Sequence, residues 1–230
     1  TLRFLTSLQH LNLKLSNCLH LTDTGLQTLS QNLHRLTTLQ AFTLNLPRCK
    51  QITKTGLNHL TQSLKELTSL QSFNFRLNFS RNLCEADAGL HKIRQILEKT
   101  TSLQSFNLSF KGCHFLTDWG MGHINKSLQG LNSLQSIDLK FGPCYQITDN
   151  GINTVCENFK RLQCLRIMSL HFDSCRELTD TSLSHIGKTL RDLTLLQKIS
   201  LGFSWSELTD VGLNYISQGV QGLTSLQKLE

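Results

Sequence analysis

Apolar residues return along this chain at an interval of about 31 residues, and two rhythms follow one another inside each interval. The second leucine of each LxxLQ-like block falls at Leu8, Leu39, Leu70, Leu103, Leu134, Leu165, Leu196 and Leu226, in steps of 31, 31, 33, 31, 31, 31 and 30. After the marker at Leu134, Ile137, Leu139 and Phe141 alternate with Ser136, Asp138 and Lys140. That period of two predicts a strand with one buried face. In the first copy Leu26, Leu29, Leu33 and Leu36 recur at helical spacing, which predicts one buried helix face. Between the two rhythms stands LTD or ITD, whose Thr or Asp can accept hydrogen bonds from the free N–H groups of a helix start. Each copy therefore reads strand, turn, helix, turn.

A unit of this size cannot bury its apolar face alone, so the copies must stack. Copies joined in this way lay their strands parallel, with right-handed crossovers and all helices on one side. Strands sit about 4.8 Å apart while helices need roughly 8 to 10 Å, so the stack curves with its strands inside. The expected fold is an α/β right-handed solenoid shaped as a horseshoe, with parallel strands on the concave face and helices on the convex face. Strands should centre near Leu13, Leu44, Phe75, Leu108, Leu139, Leu170 and Leu201. The six leucines among these are expected to be almost wholly inaccessible. The third copy carries two extra residues between Phe75 and Asp87 and shifts its cysteine to Cys84, so a bulge or longer loop is expected there.

The consensus LxxLxLxLxxCxxLTDxGLxxLxxxLxxLxx resembles the leucine-rich repeat family. Cysteine followed by LTDxGL or ITDxGI is similar to its cysteine-containing subclass, best known from substrate-receptor subunits of F-box ubiquitin ligases, and the helical length is similar to the ribonuclease-inhibitor type. The resemblance speaks to fold, because the motif residues are those that build the scaffold. The strand block is two residues longer than the usual cysteine-containing repeat and no F-box lies in the 230 residues. A ligase substrate receptor stays an alternative on these grounds.

With only Pro47 and Pro143 and no linker-like run, the unbroken repeat predicts one domain over 1–230, of about seven repeats. The chain opens at Thr1 inside a repeat and stops at Leu229–Glu230 partway through another strand, so an excerpt of a longer array is expected. Apolar stretches of a few residues predict no membrane span. The net charge is +7, and six of the sixteen acids (Asp23, Asp87, Asp118, Asp149, Asp180 and Asp210) belong to the recurring turn. The rest of the surface is therefore more basic than the total, which favours an acidic partner.

Cys18, Cys49, Cys113, Cys144 and Cys175 hold equivalent positions, as expected of small buried residues stacking through the turn. Thiols stacked in parallel point the same way, which suits a disulfide poorly, and free thiols favour a reducing, cytoplasmic setting. Cys164, His171 and Cys175 mix positions that do not converge, and no C-x-x-C pair occurs, so no metal or other cofactor is expected. Cys156 falls within a predicted helix. Nucleophile elbow, phosphate loop and H-E-x-x-H motifs are all missing from the sequence, so no enzyme is expected.

The residues that alternate with the buried strand positions should line the hollow. They include His10, Lys14, Asn45, Arg76, Asn107, Asp138, Lys140, His171 and Lys198, with Trp205 at the edge. Four cations against Asp138 leave this lining mildly basic, but it lacks the aromatic anchors common in interaction hot spots. The reading is a non-catalytic protein-interaction scaffold that uses the concave sheet or its rim to hold an acidic or polar protein surface. Two alternatives stand beside it: an assembly part of a large complex contacted through helices or repeat ends, and a nucleic-acid binder. The latter is disfavoured by the lack of aromatic platforms and of a dense basic stripe. A hollow that is merely a solvated sheet face, with the partner elsewhere, is the plainest rival.

Overall fold

The computed structural model describes residues 4–78, 86–204 and 206–230. Eight strands alternate with seven helices: β1 His10–Lys14, α1 Asp23–Leu33, β2 Ala41–Leu46, α2 Lys54–Leu64, β3 Ser72–Asn78, α3 Ala86–Leu97, β4 Ser105–Lys111, α4 Asp118–Leu128, β5 Ser136–Gly142, α5 Asp149–Phe159, β6 Ile167–Asp173, α6 Asp180–Leu190, β7 Lys198–Ser204, α7 Asp210–Val220 and the short β8 Lys228–Leu229. The strands form one parallel sheet in sequential order. This is the expected leucine-rich-repeat solenoid, with the sheet lining the inside of the arc.

Register follows the repeat without slippage. Leu13, Leu44, Phe75, Leu108, Leu139, Leu170 and Leu201 pair in succession along the middle of the sheet. A slip of one residue would turn every one of them outward, so burial of the inner face holds the register. The aromatic residues change column midway. Phe42, Phe73 and Phe106 stack on one side of the middle leucines, with centroids 5.8 and 6.2 Å apart. Phe110, Phe141, Phe172 and Phe203 continue on the other, at 6.5, 5.6 and 5.9 Å. Phe75 bridges the columns, 6.1 Å from Phe73 and 6.4 Å from Phe110. In β2 and in β5–β7 the ring of one column is offset by an aliphatic residue in the other, while β4 carries a ring in both, Phe106 and Phe110.

Two expectations about burial need correction. Leu44, Leu108, Leu139 and Leu170 are sealed, but Leu13 and Leu201 are only half-buried. Leu13 lies in the first strand of the described sheet and Leu201 beside the two-residue β8, so each lacks a full neighbouring layer. Cys18, expected to be buried, is half-buried for the same reason. The bulge expected in the third copy, together with Cys84, lies in residues 79–85, outside the described residues.

The turn between strand and helix is built by a contact between repeats. Thr53, Thr117, Thr148, Thr179 and Thr209 cap their helices, each side-chain oxygen accepting the N–H of the residue two positions on. Each threonine in turn donates its own N–H and hydroxyl to the aspartate one repeat earlier: Asp23, Asp87, Asp118, Asp149 and Asp180, respectively. The glycine of the motif completes the arrangement, because a Cβ at Gly56, Gly120, Gly151 or Gly212 would collide with that same carboxylate. In α6 the position is Ser182, which donates its N–H at 3.1 Å and its hydroxyl to Asp149 instead.

Candidate functional site

The alternating residues of the strands form three rows across the hollow. Register sets Lys14, Asn45, Arg76, Ser109, Lys140, His171 and Gly202 side by side in the row nearest the strand ends. Asn107, Asp138, Ser169 and Ser200 lie in the middle row. His10 and Lys198 lie in the row where the strands begin, with His10 exposed. Trp205 is outside the described residues.

Ion pairing divides the four expected cations. Lys140 Nζ lies 2.7 Å from Asp138 Oδ2, and Asp138 Oδ1 accepts the Ser169 hydroxyl at 2.8 Å. Lys198 Nζ lies 3.1 Å from Glu230. Among the described residues the side chains of Lys14 and Arg76 have no ion-pair or hydrogen-bond partner, and both are exposed. The positive character of the hollow is therefore concentrated on β1–β5. His171 lies along the sheet: its Nε2 is 3.3 Å from the Ser200 hydroxyl, and its ring covers Gly202, where any side chain would strike it. Among the described residues Asn107 hydrogen-bonds Ser105 at 3.4 Å.

Between the cations the small residues of the row are shielded. Asn45 sits between Lys14 and Arg76, and Ser109 between Arg76 and Lys140. Asn45 Oδ1 and Ser109 Oγ are buried and have no hydrogen-bond partner among the described residues.

Two cations were missed by counting only three alternating positions per strand. Lys111 is the last residue of β4, and Arg48 follows the end of β2. Both are exposed and, among the described residues, unpaired. With Arg76 and Lys140 they surround a cleft of about 520 Å³ whose other walls are Ser16, Asn17, Pro47 and Leu77. Among the described residues no acidic side chain lines it. The signal was present in the sequence as strands of seven residues, since extending the alternation by one step reaches Lys111.

The cysteines do structural work. Cys49 donates to the Leu15 carbonyl of the preceding repeat at 3.1 Å. A hydrogen bond with the Cys175 thiol, together with burial, pushes the Cys144 thiol up, and burial raises Cys49 and takes Cys156 up to about 11. Thiols held this far from ionisation are poor nucleophiles. Cys156 packs in the core and Cys164 is exposed. Among the described residues no group of three or more His, Cys, Asp or Glu is arranged to hold a metal. No described helix is long and apolar enough to cross a membrane.

On the helical side, His123 is buried against Trp119 and His91, with centroids at 4.5 and 4.9 Å. Neither His123 nitrogen has a hydrogen-bond partner among the described residues. Burial and the neighbouring His91 lower its pKa to about 4, so the ring is neutral at physiological pH.

No family model matches the chain, and no curated protein matches it. Among solved structures, the tropomodulin C-terminal domain from Caenorhabditis elegans is similar at a TM-score of 0.48 and 13% identity, covering 72% of this chain and 92% of that one. The repeat register, the sequential parallel sheet and the alternating helices make the fold of this chain a leucine-rich-repeat solenoid.

Proposed function

We propose that this chain is a non-catalytic protein-interaction scaffold that holds an acidic or polar protein surface against its concave sheet and rim. The observation that carries the reading is the run of exposed cations Lys14, Arg48, Arg76 and Lys111, unpaired among the described residues, beside a cleft whose described lining holds no acidic residue. A charge kept without an internal partner adds nothing to folding, whereas it steers and orients an oppositely charged surface. The whole of 1–230 acts as one interaction domain, of the cysteine-containing, ribonuclease-inhibitor-like kind. Raised thiol pKa values and the free state of the described cysteines suit a reducing, cytoplasmic setting.

The test is charge reversal on two faces. Replacing Lys14, Arg76, Lys140 and Lys198 by Glu is expected to abolish capture of a partner from native extract, with the fold kept. The matched reversal at Lys65, Lys126 and Lys188 on the helical side should leave capture intact. The opposite pattern would end the concave-face reading.

A further inference from the structure

We propose that the C-terminal ends of β1–β5 form a dock for an extended acidic segment of a partner protein, with Lys14, Arg48, Arg76, Lys111 and Lys140 each supplied by one of five consecutive repeats. The inference rests on the scaffold reading and narrows it to one end of the hollow and one partner chemistry.

The five cations form a zigzag. Lys14, Arg76 and Lys140 hold equivalent register positions on β1, β3 and β5, while Arg48 and Lys111 stand just past that row, after β2 and at the end of β4. Strands about 4.8 Å apart place Lys14 and Lys140 roughly 19 Å from each other, the reach of about six residues of extended chain. Four of the five surround the cleft, and among the described residues no acid lines it and only Lys140 has an acidic partner, Asp138. The pattern stops beyond β5. There the corresponding residues are His171 and Asp173, then Gly202 and Ser204.

Arg48 adds an independent argument. Its φ is +63°, a left-handed conformation that a side chain with a Cβ disfavours. The residues at the same place before the cysteine are Asn17, Gly112 and Ser174, all with positive φ, and Pro143, where the preceding Gly142 has the positive φ instead. Asn and Gly adopt this conformation readily, so an arginine here is a local cost that folding does not require. Strain kept at a cleft is a mark of a working residue. Among the described residues the cleft lining includes no aromatic ring, and single-stranded nucleic acids are ordinarily held by stacking on such rings. Carboxylates on a protein segment are the better match.

The test uses the 230-residue chain and a fluorescein-labelled octaglutamate peptide, followed by anisotropy, with octathymidylate and octalysine titrated in parallel. Octaglutamate is expected to bind, and the combined change Arg48→Gly, Arg76→Gln and Lys111→Gln should weaken it by at least about tenfold. Arg48→Gly by itself should weaken binding while raising the melting temperature, which separates loss of the charge from loss of the fold. Lys126→Gln with Lys188→Gln should change nothing. Failure of octaglutamate to bind, or equal binding by the triple variant, overturns the dock. Tighter binding of octathymidylate with a steep salt dependence reassigns the stripe to phosphates and overturns it too. If octaglutamate fails while hollow reversal still abolishes partner capture, the dock is wrong and the scaffold reading stands. If octaglutamate binds through the stripe but capture survives hollow reversal, the fault lies with the scaffold reading.

Discussion

The carboxylate of Asp118 holds the helix cap of the following repeat: it accepts the N–H of Thr148 at 2.8 Å and its hydroxyl at 2.6 Å. With its hydroxyl proton committed to the aspartate, the Thr148 oxygen is oriented to accept the N–H of Asn150 at 3.2 Å. One side chain thereby orders the start of a helix in another repeat, and the same relay recurs through most of the array. Nearest-neighbour coupling of this kind is what makes a solenoid fold cooperatively.

Removing the relay at one place should uncouple two repeats. Asp118→Ala is expected to cost about 1.5 to 3 kcal/mol, the range for a hydrogen bond to a charged group. Thr148→Val should cost less on top of it than in the native chain. A double-mutant cycle in urea, with the two changes less than additive, checks the contact; strict additivity would show that it contributes nothing.

The chain carries its own gap in the relay. At the aspartate position of the second repeat stands Lys54, and at the cap position of the third stands Ala86, which has no hydroxyl to donate. Restoring both with Lys54→Asp and Ala86→Thr is expected to stabilise the protein by about 1 kcal/mol, the usual worth of a cap. Each change made singly should achieve less, measured as the midpoint of urea unfolding.

Layers of the core should differ in their tolerance. Leu139→Ala, in a sealed layer with a full neighbour on each side, is expected to cost roughly 2 to 5 kcal/mol. Leu201→Ala, half-buried beside β8, should cost clearly less. Equal losses in thermal unfolding would contradict the burial gradient.

Acid should find His123 before it finds the aspartates. Its folded pKa is lowered to about 4 by burial and by His91, against about 6.5 for a free imidazole. The unfolded chain then binds the extra proton first, so stability falls as pH drops from about 6.5 towards 4 and levels off below. His123→Phe should flatten that part of the pH–stability curve. Asp149 acts in a lower window: burial pushes its carboxyl up, but hydrogen bonds from Ser182 and Thr179 outweigh this and hold it below its ordinary value. Its contribution is present above the ordinary carboxylate range and is lost as pH falls through the depressed value. Asp149→Asn should remove that lower limb.

The period of 31 and the alternation around Leu139 determined the strands, the parallel order and the hollow-facing rows, because each residue's face follows from local spacing once one side must be buried. Register then carried every alternating residue to its predicted row. What the chain as a string did not reveal were contacts between residues a whole repeat apart. That Asp118 would bond Thr148, that Asp138 would neutralise Lys140, and that Arg48 and Lys111 would join Arg76 at one cleft depend on how adjacent repeats stack. Leu13, Cys18 and Leu201 differ from their equivalents for the same reason: identical local sequence yields different burial when a neighbouring layer is incomplete. Local pattern specified the repeat, and only stacking decided which of its polar groups are spent inside the scaffold and which stay available to a partner.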